Sequence, residues 1–265
     1  MQNSKSFPRK PTILKSFTAI LFSAERLLAI KTFFNYHSDI SVRAIDLTVL
    51  QAAGDNEIKK MAEFYLSDLE RQRFTGFKFS KRKTEWLAGR IAAKEAILAL
   101  LPEDANNCAW HNLQISADSV GRPFCELVEG NTEKMPDVSI THSAGIAAAL
   151  ASSHFCGIDI QEIKATVAKV KSRFASPVEQ RILAKANADF SETTLLAMLW
   201  SAKEAARKAF PLQPLPGFME LQLEHFNGKL DNFTGQFSCQ RQDMPATIPF
   251  FCMKFEAYAG AIILR

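Results

Sequence analysis

Trp200-Ser201-Ala202-Lys203-Glu204-Ala205-Ala206-Arg207-Lys208 echoes an earlier stretch of the same chain, Arg90-Ile91-Ala92-Ala93-Lys94-Glu95-Ala96. Each lies in an alanine-rich run whose apolar residues recur at helical spacing. Each is also followed by strand-like sequence, beginning at Leu113 or Leu221, nineteen or eighteen residues past its lysine. A repeated Lys-Glu-Ala helix with a repeated downstream strand predicts an α+β fold of two pseudo-symmetric lobes, each packing helices on an antiparallel sheet. A site in such a duplicated fold belongs between the lobes.

Working outward, Ser80 to Leu101 carries Trp86, Leu87, Ile91, Ala92, Ile97, Leu98 and Leu101 at helical spacing, and Pro102 ends the run. Before it, Val42 to Leu50 reads as a strand and Glu57 to Phe74 as helical, with Ser67 and Glu70 spaced to cap a second turn. After it come strands at Leu113–Ser116, Pro123–Val128 and Asp137–Thr141, the first two joined by a turn at Asp118–Arg122. Ile146–Ala151 and Cys156–Ile160 read as a hairpin through Ser152–Phe155. Helical patterns at Pro177–Ala186 and Glu192–Phe210 precede strands at Met219–His225, Phe233–Ser238, Ile248–Phe255 and Tyr258–Leu264. The expected division is an N-terminal extension over 1–41, an N-terminal lobe over 42–152 and a C-terminal lobe over 153–265.

The 265 residues, 47% hydrophobic and 23% charged, are enough to bury a core and exclude a disordered chain. The net charge of +4 is local: Met1 to His37 holds six basic residues against Glu25, leaving the remainder at −1. A near-neutral body does not suggest a nucleic-acid binder. Five scattered cysteines without a C-x-x-C pair support neither a disulfide framework nor a zinc knuckle, and point to the cytosol. The apolar run Phe17–Ile30 is split by Glu25 and Arg26, too short to span a membrane. It is read as part of an appendage, with an import peptide or an upstream start codon as alternatives.

Two places concentrate chemistry. In Gly157-Ile158-Asp159-Ile160-Gln161-Glu162 the alternation of a strand puts Asp159 and Gln161 on one face and the isoleucines on the other. In the Trp200 helix, Glu204 and Lys208 share a face at i and i+4. Singly these would be a strand-edge acid and a surface ion pair. Together they form a hard-oxygen set suited to magnesium, with cations placed for phosphate.

With these motifs the chain resembles the 4′-phosphopantetheinyl transferases, in particular the Sfp type with two lobes on one polypeptide. Gly157-Ile-Asp159-Ile-Gln161 is similar to the family's G-[IV]-D-[IV]-E, and Trp200-Ser-Ala-Lys203-Glu204-Ala-Ala-Arg-Lys208 to [FW]-[ST]-x-K-E-[SA]-x-x-K. Leu66-Ser67 to Arg73-Phe74, Leu87-Ala-Gly89-Arg90, Gly121-Arg122-Pro123 and Ser139-Ile-Thr141-His142-Ser143 follow the family's order, and the match runs from about Leu66 to Phe255. The resemblance implies a cytoplasmic monomer that moves the 4′-phosphopantetheine of coenzyme A to a serine of an apo acyl or peptidyl carrier protein, releasing adenosine 3′,5′-bisphosphate. It implies no nucleic-acid or membrane partner. Mg2+ would be held by Asp159, Glu204 and the Gln161 position, with Glu204 as base on the carrier serine and Lys208 on the pyrophosphate. Lys81, Arg122, Thr141, His142, Ser143 and Lys203 would join Lys208 in meeting coenzyme A, His142 at its 3′-phosphate, with Arg82 and Lys83 competing with Lys81.

Gln161 departs from the pattern, standing where the family has a second acid. A neutral amide is the weaker magnesium ligand, and Glu162 points to the other face of the strand. This departure motivates an alternative, a catalytically weak paralogue that binds coenzyme A or a carrier without turnover. A metal nuclease is a third reading, against which Ala206 stands where such a site favours lysine. Lys164, Lys169, Lys171 and Arg173 form a basic stretch that could meet an acidic carrier helix or simply be solvated.

Overall fold

A computed structural model describes residues 18–35, 39–102, 110–130, 135–186, 190–210 and 214–265. Two helices, α1 (Thr18–Leu21) and α2 (Ala24–Phe33), precede strand β1 (Ile40–Asp46). Helices α3 (Leu47–Ala52), α4 (Asp55–Tyr65), α5 (Asp68–Thr75) and α6 (Ser80–Leu98) follow, then β2 (Leu113–Ala117), β3 (Pro123–Leu127), β4 (Asp137–Ser143) and β5 (Ile146–Ser152). The second half repeats the plan: β6 (Cys156–Glu162), then α7 (Ala165–Lys169), α8 (Pro177–Ala186) and α9 (Glu192–Ala209), then β7 (Leu221–Lys229), β8 (Asn232–Cys239), β9 (Thr247–Phe255) and β10 (Tyr258–Leu264). The antiparallel sheets run β1-β5-β4 and β6-β10-β9-β8-β7, and β2-β3 is a separate ribbon. The α+β fold of two pseudo-symmetric lobes is thus as expected.

Each lobe lays its long helix on one face of its sheet. β5 reads Ile146-Ala-Ala-Ala-Leu-Ala-Ser and is buried along its whole length. Ala147, Ala149 and Ala151 share a core with α6, whereas Ile146, Ala148 and Leu150 belong to a core on the opposite face. Small side chains on the helix side let α6 lie close. In the C-terminal lobe Ala259, Ala261 and Ile263 of β10 pack with α9, and Ile262 and Leu264 face away from it. The third core, on those opposite faces, takes residues from β1, β5, β6, β9 and β10 and is shared by both lobes. Leu21, Phe22 and Ile30 of α1–α2 are buried in it, so residues 18–35, within the stretch expected as an appendage, are built into the molecule.

The duplication extends to a buried ion pair at the same place in both lobes. Lys94 Nζ lies 2.5 Å from Glu70 and donates to the carbonyls of Tyr65 and Trp110. Lys203 Nζ lies 2.6 Å from Glu179 and donates to the carbonyls of Phe174 and Phe218. Each glutamate also accepts the amide of its capping serine, Ser67 or Ser176, and one strand amide, Ile115 or Leu223. Neither lysine amine is exposed, so each pair ties helix, capped helix start and strand into one unit.

Two sequence expectations are corrected. The strand expected over Val42–Leu50 stops at Asp46, whose carboxylate accepts the amide and hydroxyl of Thr48 and starts α3. The hairpin expected from Ile146–Ala151 and Cys156–Ile160 does not form, because β5 pairs with β1 and β4 while β6 pairs with β10. Three residues, Ser153–Phe155, join them as a passage from one lobe to the other. Among the described residues no helix is long and apolar enough to cross a membrane.

Candidate active site

The site lies where β6 meets the last turns of α9. Gly157 makes this meeting possible: a Cβ there would stand 2.0 Å from the carbonyl oxygen of Ala205. Two residues on, Asp159 is nine-tenths buried, and its Oδ1 accepts Lys208 Nζ at 2.7 Å and the Thr141 hydroxyl at 3.0 Å. Lys208 also donates to the carbonyl of Ile158 at 3.0 Å. Glu204, one turn before Lys208, lies 3.4 Å from Arg207. Burial and the charge of Asp159 push the Glu204 carboxyl above its ordinary range, against Arg207 and Lys208. A carboxyl whose proton affinity is raised by burial and a neighbouring carboxylate marks a place where a cation or a proton is stabilised.

From Glu204, Arg207 and Lys208 a cleft runs along Gly121, Pro123 and Ile140, which also border a second cavity. That cavity is cationic, with Arg73, Arg82, Arg90 and His142 in its wall. Arg90 stacks over Trp86 at 4.7 Å, and its Nε, buried, has no hydrogen-bond partner among the described residues. Burial lowers its pKa to about 10. His142 is half-exposed, with Nε2 4.0 Å from Glu85.

The expected coenzyme A contacts divide. His142 and Arg122 border the cleft system, but the guanidinium of Arg122 is already bonded to the Lys208 carbonyl and to Asp137. Lys81 stands outside the cavity wall: its side chain is 79% exposed, with the amine 3.9 Å from Glu85, and Arg82 lines the cavity instead. Lys203 is a correction, since the helical turn that aims Glu204 at the cleft aims its neighbour into the core, onto Glu179. Thr141 is buried and Ser143 accepts the Glu162 amide, so both hydroxyls serve the protein itself. Gln161 donates its amide nitrogen to the carbonyl of Glu162. Arg73 and Arg90 were missed as candidates; the signal available was Arg90, which opens the first copy of the repeat. Among the described residues no cluster of three or more His, Cys, Asp or Glu side chains is assembled. Cys125, Cys156, Cys239 and Cys252 are buried, and Cys108 lies outside the described residues.

A duplicated α+β fold with an acid–lysine site at the lobe junction defines a class, and comparison with known proteins identifies it. The family model of the 4′-phosphopantetheinyl transferase superfamily matches residues 155–248. A holo-[acyl-carrier-protein] synthase of Anoxybacillus flavithermus is 36% identical over 91 residues, 34% of this chain and 73% of its own. Enterobactin synthase component D of Escherichia coli O157:H7 is 34% identical over 149 residues, 56% of this chain and 64% of its own, so the match spans less than two thirds of that relative. A solved holo-(acyl-carrier-protein) synthase from Bacillus anthracis, in complex with CoA (3′,5′-ADP), is 28% identical, covers 43% of this chain and 92% of its own, and gives a TM-score of 0.36. The chain belongs to the 4′-phosphopantetheinyl transferase superfamily.

Proposed function

We propose that this chain transfers the 4′-phosphopantetheine group of coenzyme A to a serine of an apo acyl or peptidyl carrier protein, releasing adenosine 3′,5′-bisphosphate. The observation that carries this reading is the cleft itself: an acid–lysine centre at one end and an arginine-lined cavity at the other, the ends a pyrophosphate and a 3′-phosphate require. The chain's likeness to a holo-[acyl-carrier-protein] synthase supplies the carrier-protein side.

Arg82, Arg90, Arg73 and His142 would take the 3′-phosphate, Arg90 held in the cavity wall with its Nε 3.9 Å from Glu70. Glu204, with its raised proton affinity, would accept the proton of the carrier serine as its oxygen bonds to the β-phosphorus and the pyrophosphate bond breaks. Lys208 would hold the charge that develops on the departing oxygen. The donor set fits a hard cation of the magnesium class: Asp159 and Glu204 would hold it, with Gln161 as a neutral oxygen donor. When bound, the ion neutralises the pyrophosphate. The chain would act as a monomer, since both walls of the cleft come from one polypeptide, and in the cytoplasm, which its scattered cysteines suit. Lys164, Lys169, Lys171 and Arg173 would face an acidic carrier helix; Lys164 and Lys171 are paired with Glu162 and Glu192, and Lys169 and Arg173 are exposed.

The test is the intact mass of an apo carrier protein after incubation with the chain, coenzyme A and magnesium. A gain of one phosphopantetheine, lost with Glu204→Ala, is the expected result. No gain on several carriers, with coenzyme A still raising the melting temperature, would leave the weak binding paralogue that Gln161 motivates.

A further inference from the structure

β4 and β6 belong to different sheets yet run side by side in parallel, and the bonds between them follow a rule. Asp137 Oδ2 accepts the amide of Cys156 at 2.8 Å, Ser139 Oγ that of Ile158 at 3.1 Å, Thr141 Oγ1 that of Ile160 at 3.3 Å, and Ser143 Oγ that of Glu162 at 3.1 Å. Every rung joins residues nineteen apart. Side-chain oxygens thus stand where backbone carbonyls stand in an ordinary sheet, about 4.8 Å from strand to strand. A side chain between the two edges holds the strands farther apart than that. The carbonyl of Ile158 on this edge consequently accepts Lys208 Nζ in place of a β4 amide. The seam that joins the lobes therefore makes room for the lysine of the site.

One rung does more than join. Thr141 Oγ1 accepts the Ile160 amide and donates its hydroxyl to Asp159 Oδ1 at 3.0 Å, on the same oxygen that Lys208 reaches. The threonine is buried in the N-terminal lobe and the aspartate stands in the C-terminal lobe. We infer that Thr141 is a positioning residue that fixes the Asp159 carboxylate from the opposite lobe, coupling the orientation of a metal-side acid to the register of the seam. This rests on the proposed function, and it replaces the expected contact between Thr141 and coenzyme A. A hydroxyl bonded at both its proton and its lone pair has its directions set by the protein. The carboxylate it holds is then oriented before any ligand arrives.

The experiment compares Thr141→Val, Thr141→Ser and Ser139→Ala in the full chain. Mn2+ binding is read by electron paramagnetic resonance with coenzyme A present, alongside carrier-loading kinetics. Thr141→Val keeps the shape and removes both bonds, and it should weaken Mn2+ about tenfold and lower kcat, with the KM for coenzyme A within about twofold. Thr141→Ser should restore both. Ser139→Ala removes a neighbouring rung and should lower the melting temperature with Mn2+ affinity unchanged. Wild-type Mn2+ affinity in Thr141→Val, or a raised coenzyme A KM as its sole defect, would overturn the inference in favour of direct cofactor contact. Equal loss of Mn2+ in Ser139→Ala would overturn it in favour of general loosening of the seam. Should the wild-type chain neither bind Mn2+ nor load a carrier, the proposed function falls and takes the inference with it.

Discussion

Glu204 has a carboxyl whose proton affinity is raised first by burial and then by Asp159, and the sign of that shift has consequences for stability. A carboxyl that binds its proton more tightly in the folded than in the unfolded chain contributes stability that is complete below the unfolded value, about pH 4. That contribution is lost as pH rises through the folded value. Ionised Glu204 is therefore a cost at neutral pH, and Glu204→Gln should melt higher than the wild type at pH 7 while losing transfer activity. The gap should close as pH falls toward 4, which a series of thermal melts would show. A constant gap across pH would mean that ionisation of Glu204 does not oppose folding. Gly157 is the other residue on which the site depends. The position tolerates no Cβ because the obstacle, Ala205 O, is backbone. Gly157→Ala should cost about 3 kcal/mol or more in urea unfolding, since β6 and α9 would have to part. An unchanged midpoint would show that α9 can slide without loss.

The two buried Lys–Glu pairs act at the scale of elements. Lys203 and Glu204 are adjacent in sequence, and the staple on Lys203 fixes the rotation of α9 about its axis, hence the direction of Glu204. Lys203→Met leaves Glu179 buried without its cation and should cost about 3–5 kcal/mol. Lys94→Met should cost a similar amount through Glu70, since its surroundings are the same in kind. Denaturant midpoints of the two variants test the duplication, and a neutral outcome at either position would show that its staple is dispensable. How far the sequence carries follows from the same elements. The repeat of Lys-Glu-Ala at matched distances from a strand is local information, and it announced two lobes and the helix bearing Glu204. The periodicity of Glu192–Phe210 could not say that Lys203 turns inward, because a lysine looks alike whether its partner is solvent or the distant Glu179. The hairpin expected between β5 and β6 failed for the same reason: short strands joined by a three-residue loop satisfy the local rule, but the better partners, β4 and β10, lie on either side of the lobe boundary. Seam hydroxyls leave no distinctive signal, since Ser139, Thr141 and Ser143 alternate as in any half-polar strand.

At the scale of the whole molecule the question is what keeps two lobes in one register, because the cleft has a wall in each. The side-chain ladder between β4 and β6 joins them at one edge, with Arg122 bonded to the carbonyl of Lys208 and Tyr258 to that of Ala144. On the other side α1 and α2 span both lobes. Thr18 Oγ1 accepts the amide of Ala44 on the outer edge of β1, while Arg26 reaches Asn232 and the carbonyl of Lys254 in the C-terminal sheet. Phe22 is buried between them in the shared core, 6.4 Å from the ring of Phe255. A segment bonded to both lobes resists their separation, whereas one that merely covers a surface does not. Phe22→Ala combined with Arg26→Ala removes the apolar and polar halves of this clamp, and the phenylalanine alone should cost about 3–5 kcal/mol. The distinguishing observation is the shape of the calorimetric trace: a clamp predicts that one transition becomes two as the lobes melt apart. The same double variant should raise the KM for coenzyme A, since the arginines of the cationic cavity and Lys208 stand on opposite lobes. A single transition at lower temperature with an unchanged KM would assign the whole junction to the ladder, and leave α1 and α2 as a cover over the core that both lobes share.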